Sequence, residues 1–139
     1  MKLCKTPQTL KRMSKEVVDD ATAFVEEFGE FCLRKKCMAL AASQVGKFDR
    51  IVAVKNRSRK KVTVMVNPEI VKRSKFTATK PEGNASMDRT VQVPKERPLY
   101  VVVAYDLPDL SKRVRKAFWG RQAAAACHVV DMLDGILIK

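Results

Sequence analysis

The chain has 139 residues and an ordinary apolar fraction of 46%, which favours a single domain over residues 1–139. Its net charge of +13 favours an anionic partner. A chain of this length needs no disulfide staples to fold, and no apolar run reaches the ~18 residues of a membrane-spanning helix. We therefore expect a cytoplasmic protein (an organellar location is the alternative) with no membrane partner. Four cysteines at positions without framework spacing are interpreted as reduced thiols: Cys4, Cys32, Cys37 and Cys127.

The first predicted element is an amphipathic helix over residues 14–36. Its apolar residues recur at steps of three and four, and glutamates lie between them, which is typical of a helix with one buried face. Ser14 suits the N-cap position of this helix.

Two β-branched runs follow, at residues 50–55 and 61–66, and they predict two strands joined by a hairpin. Asn67-Pro68 is predicted to end the second strand. The stretch between the strands is densely basic and predicts an exposed hairpin tip that contacts nucleic-acid phosphates, with a solvated loop as the alternative. The cations of this predicted tip are Lys55, Arg57, Arg59, Lys60 and Lys61.

The remaining elements complete the prediction of the fold. Further strands are predicted over residues 69–73, 76–80, 99–105 and 113–118, with the last two paired, and a helix over residues 120–133. Gly135 stands where the C-terminal cap of that helix belongs. The order predicts an α+β fold with a mostly antiparallel sheet packed on an N-terminal and a C-terminal helix.

Three short motifs stand out: CMALAASQVG at 37–46, EGNAS at 82–86 and CHVVDMLDGIL at 127–137. In this order and spacing they resemble the peptide deformylase family, whose motifs are similar to G-φ-G-φ-A-A-x-Q-φ-G, E-G-C-L-S and Q-H-E-φ-D-H-L-x-G. PQTLKRMSKEV at 7–17 and VNPEIV at 66–71 extend the resemblance over nearly the whole chain.

The resemblance implies metal-dependent removal of the formyl group from N-formylmethionyl nascent peptides. In the family, a divalent iron, zinc or nickel ion is held by the cysteine of the second motif and by two histidines of the third. The two histidines are four residues apart and so share one helical face. A glutamate after the first histidine moves protons. A glutamine and a backbone N–H stabilise the oxyanion.

Some of these functional positions are retained in this chain. Gln44 matches the oxyanion glutamine, His128 matches the first histidine ligand, and Ala85 still offers its backbone N–H. By the same resemblance, the substrate pocket is expected to be lined by Ala39, Ala41, Glu82, Gly83 and Arg97.

Other functional positions are replaced. Asn84 stands for the cysteine ligand, Met132 for the second histidine and Val129 for the glutamate base. A neutral amide and a thioether are poor ligands for a hydrolytic metal ion, and a valine cannot transfer a proton.

These substitutions lead us to expect a degenerate, inactive homologue that needs no metal cofactor. The ribosome (its RNA) or a nascent peptide is the expected partner. Two alternatives stay open: an active deformylase with a rebuilt metal site that uses His128 and unrecognised ligands, and a small basic RNA-binding protein.

Overall fold

The computed structural model describes residues 1–3, 13–75, 77–82 and 93–136, and for residues 77–82 and 93–96 it describes the backbone only. Within these ranges the chain forms two α-helices, a short 3₁₀ helix and seven strands. In chain order they are α1 (Thr22–Arg34), β1 (Ala39–Ala41), the 3₁₀ helix (Ala42–Val45), β2 (Ile51–Lys55), β3 (Val62–Arg73), β4 (Thr77–Glu82), β5 (Val93–Pro98), β6 (Tyr100–Asp106), β7 (Arg113–Trp119) and α2 (Gly120–Leu133). None of the described helices is long and apolar enough to cross a membrane.

Five strands form one antiparallel sheet in the order β1-β2-β3-β6-β7, and β4 pairs with β5 in a separate two-stranded sheet. Helix α1 packs on β2 and β3, while α2 packs on β1, β2 and β7. The predicted α+β fold is confirmed.

Strand β2 shows how the two helices cover the sheet. Successive side chains of a strand point to opposite faces. Ile51 and Ala53 accordingly join the core cluster beneath α1, and Val52 and Val54 join the cluster beneath α2. Because helices cover both faces, β2 is buried at every position.

The predicted start of the first helix is wrong: α1 begins at Thr22 and not near Ser14. Ser14 lies in an extended segment, where its N–H donates to the Leu133 carbonyl at 2.7 Å. Val17 donates its N–H to the side-chain oxygen of Asn67 at 2.8 Å. The segment thus finds its partners elsewhere in the chain. The N-cap of α1 is Ala21, which makes no side-chain cap hydrogen bond, and Asp20, one residue before it, accepts the Thr22 N–H at 2.8 Å.

The predicted break at Asn67-Pro68 is also wrong, because β3 continues through it as a bulge. The register with β6 shifts between Val66 and Glu69, and Asn67 has a φ of +50°. Its amide nitrogen donates to the Val17 carbonyl and to the Asp106 carboxylate, each at 2.9 Å. These bonds hold the strained residue in place, and residues 69–73 form the second half of β3.

The C-terminal predictions are confirmed. Strands β6 and β7 pair antiparallel, and α2 covers the predicted residues 120–133. Gly135, with a φ of +78°, donates its N–H to the Met132 carbonyl at 3.0 Å, as a helix C-cap requires.

Strand β5 was not predicted, since its two prolines disfavour a strand. The predicted strand 76–80 corresponds to β4, with Phe76 outside the described residues.

Candidate functional site

Gln44 lies in the 3₁₀ helix that connects β1 to the rest of the sheet. It is only 2% exposed, and its amide oxygen accepts the Ala41 N–H at 2.9 Å. This contact fixes the orientation of the side chain, whose amide nitrogen is a hydrogen-bond donor. Ala39 and Ala41 lie on β1, where Ala41 is fully buried against α2.

Helix α2 carries the third motif and packs against both β1 and the 3₁₀ helix. The fold therefore places this motif beside the segment that holds Gln44. His128 is half-buried. Val129 and Met132, at the positions of the family's base and second histidine, are both fully buried in the core cluster under α2.

The described residues do not fit a metal centre of the family type. Across the described ranges, no three His, Cys, Asp or Glu side chains are placed to hold a metal ion. Val129 has no donor atom, and Met132 offers only a thioether within an apolar core. Glu82 is described only by its backbone, paired with Val93. Three predicted site residues lie outside the described ranges: Gly83, Asn84 and Ala85.

Arg97, which is predicted to line the substrate pocket, is buried and forms an ion pair with α2. Its guanidinium lies 2.7 Å from the Asp131 carboxylate, and the residue is 6% exposed. A buried charge requires such a partner. The ion pair ties β5 to the helix of the third motif.

The β2–β3 hairpin has the predicted basic tip, with one correction. Arg57, Arg59, Lys60 and Lys61 are exposed. Lys55 is not part of the tip, since it is 3% exposed and its Nζ donates to the Lys35 carbonyl. As the last residue of β2, it lies under the segment that enters β1.

A groove of about 710 Å³ runs between this hairpin and the β7–α2 junction. None of the described residues that line it is acidic, and five are cationic: Lys55, Arg57, Arg59, Lys116 and Arg121. Trp119 also lines the groove, is 62% exposed and makes a tilted ring contact with Tyr100 at 5.2 Å. We call this feature the basic groove.

Local sequence reasoning missed Lys116, Trp119 and Arg121 as groove residues. They lie more than fifty positions after the hairpin, and only the pairing of β3 with β6 and of β6 with β7 brings them together. The basic run at 112–116 includes Lys116, but it does not indicate where that residue lies, and Trp119 and Arg121 lie outside it.

Comparisons with known proteins agree with this fold. A family model described as polypeptide deformylase matches residues 1–139. A peptide deformylase of Finegoldia magna is 33% identical over 137 residues, covering 92% of this chain and 80% of that protein. A protein of Rhizobium meliloti named peptide deformylase-like is 30% identical over 128 residues, covering 92% and 67%. The actinonin complex of the PDF from Vibrio parahaemolyticus bacteriophage VP16T has a TM-score of 0.87 at 27% identity, covering 99% of this chain and 100% of that chain.

Proposed function

This chain belongs to the polypeptide deformylase family, and from that premise we propose that it is a degenerate member. In this proposal it has lost the metal centre and binds RNA, with ribosomal RNA as the expected partner. The fold is inherited, Gln44 keeps its place, and the chemistry of the third motif is gone.

One observation carries the loss of chemistry: Val129 and Met132 are fully buried side chains of the main core cluster. A general base must reach the proton that it moves, and a metal ligand must face the ion. Both positions instead contribute apolar packing to the sheet. Both replaced residues are thus part of the core. This supports a family member that keeps the fold without the metal chemistry.

Metal analysis tests the loss of the metal centre. Protein purified without oxygen should carry no stoichiometric iron, zinc or nickel and should not deformylate formyl-Met-Ala-Ser. A peptide deformylase prepared in parallel is the positive control. Firmly bound metal that disappears in a His128→Ala variant would overturn the proposal and favour the rebuilt metal site.

The basic groove supports RNA binding. Its cations line one concave surface, and such a surface attracts a phosphate backbone. Trp119 adds an exposed aromatic face beside them. Bases of a single strand stack on such faces. A purely electrostatic surface would need no exposed tryptophan, so the combination favours a single-stranded segment.

A salt titration of binding to a fluorescent single-stranded RNA, and then to ribosomes, tests this role. The hairpin variant replaces by alanine two cations that line the groove, Arg57 and Arg59, and their exposed neighbour Lys60. It should bind more weakly, and the log–log salt slope should fall by about 2, since each lost contact removes ~0.7. The charge-matched control replaces exposed cations elsewhere, Lys72, Lys75 and Lys112.

Trp119→Ala separates stacking from charge. It should weaken binding by about 1–3 kcal/mol while the salt slope stays unchanged. If the hairpin variant and the control variant bind with the same affinity and slope, the groove is not the RNA site. Titration with formyl-Met-Ala-Ser then tests the alternative, a peptide-binding role near Gln44.

A further inference from the structure

Two cysteines lie together on the side of the sheet that α1 covers, away from the third motif. Cys32, in the last turn of α1, is fully buried, and Cys37, just before β1, is half-buried. Both belong to the core cluster beneath α1, and a hydrogen bond between their thiols is the largest cause of the pKa shift at each. This contact brings two nucleophilic groups together, and the deformylase chemistry has no use for either.

Two cations are held against the short segment that joins the cysteines. Lys55 donates its Nζ to the Lys35 carbonyl, and Arg59 donates to the Lys36 carbonyl at 3.0 Å. Both lysines that accept these bonds lie between Cys32 and Cys37. The ammonium and the guanidinium are thus fixed beside the thiols by backbone contacts.

This arrangement gives the two thiols different chemistry. The hydrogen bond from Cys32 and the charges of Lys55 and Arg59 outweigh burial and lower the pKa of Cys37 to about 7. The same hydrogen bond and burial raise the pKa of Cys32. A thiolate is the nucleophilic form, so the more accessible cysteine is also the more reactive one.

We propose that Cys32 and Cys37 form a dithiol redox site that a hydroperoxide oxidises to an intramolecular disulfide. The Cys37 thiolate attacks the peroxide, breaks its O–O bond and becomes a sulfenic acid, while the leaving oxygen takes a proton and departs as water or an alcohol. The Cys32 sulfur then attacks the sulfenic sulfur and breaks its S–O bond, and the hydroxyl takes the Cys32 proton and leaves as water. The thiols lose two electrons in all, and the peroxide gains them.

The surroundings permit this reaction with little rearrangement. The sulfurs must approach from hydrogen-bond contact to about 2.05 Å. Helix α1 ends at Arg34, and Lys35 and Lys36, the two residues before Cys37, form neither helix nor strand, so the chain there can adjust and bring the sulfurs together. Cys127 is not a competing partner, because it packs in the other core cluster, on the opposite face of the sheet.

Tryptic mapping tests the proposal on the whole protein. The chain is cleaved between the cysteines at Arg34, Lys35 and Lys36, so Cys32 and Cys37 fall in separate peptides, 16–34 and 37–47. After a small excess of hydrogen peroxide and alkylation of the remaining thiols, these peptides should appear linked and should separate on reduction.

Variants assign the order of the steps. Cys32→Ser should accumulate a sulfenic acid at Cys37 that dimedone traps, and Cys37→Ser should form no link. Cys127→Ser is the matched control and should form the link as the parent does. A link to the peptide of Cys4 or Cys127, or full alkylation of all thiols after peroxide treatment, would overturn the proposal.

Discussion

Replacing Val129 with glutamate puts a carboxyl group where the family has its base. In this structure the new side chain enters the core cluster of Phe118, Met65 and Met132, at a position with no exposed surface. Burial disfavours the charged carboxylate, so the folded-state pKa should rise to about 8–9, above the unfolded value of about 4.3. The folded protein then holds the carboxyl group neutral at pH 7.

The cost in stability follows from these pKa values. When folding raises the pKa of a carboxyl group, the group does not lower the free energy of unfolding below pH ~4.3. It lowers that free energy increasingly as the pH rises from there toward the folded-state pKa. Keeping the group protonated at pH 7 costs about 3.7 kcal/mol, against about 1.1 at pH 5. The free energy of unfolding of the Val129→Glu variant should therefore fall by about 2.6 kcal/mol between pH 5 and pH 7.

Urea unfolding followed by circular dichroism at several pH values measures this loss. Val129→Gln is the matched control, because it shares the size and polarity of glutamate but cannot ionise. The difference between the two variants should be small near pH 4 and should grow with pH. A flat difference, with both variants equally stable at pH 7, would mean that residue 129 faces a solvated cavity, as a catalytic base does, and would refute the reasoning.

Three further predictions test other parts of the molecule. Asn67→Ala should lower the free energy of unfolding by about 2–4 kcal/mol, because it removes three side-chain hydrogen bonds at a positive φ; Asn67→Gly, which accepts that φ, should lose less in the same urea titration. Gly29→Leu should lower it by about 1–3 kcal/mol in thermal melts, because a Cβ there already lies 3.3 Å from a valine methyl of β3. Lys55→Met should move the midpoint of Cys37 alkylation by iodoacetamide above pH 7, because the lost ammonium no longer favours the thiolate; an unchanged pH profile would contradict this assignment.

Much of the fold could be predicted because its elements follow local rules. Helix α2 matched its predicted bounds, since an alanine run precedes a glycine cap, and β2 matched within one residue, since β-branched residues dominate it. The start of α1 could not be predicted, because the partner of Val17 is Asn67, fifty positions away. The hydrogen bonds of the Asn67 side-chain amide also allow β3 to continue through the predicted break.

The candidate site was predicted only in part. Resemblance identified the positions of Gln44, Val129 and Met132, but only the packing of α2 shows that the last two became core residues. The burial of Lys55 needed the path of residues 35–38, which no local pattern encodes. The basic groove needed the sheet order, because its two sides come from distant segments.

The packing of α2 on one face of the sheet has a consequence for the protein during its synthesis. Ribosomes add about 5–20 residues per second, so α2 emerges several seconds after β2 and β3 have been made. Until then the sheet face formed by Val52, Val54 and Met65 lacks the cover that α2 gives it, and exposed apolar strands promote aggregation. The nascent chain is therefore prone to aggregation until the helix that carries the third motif has been made and packs on the sheet.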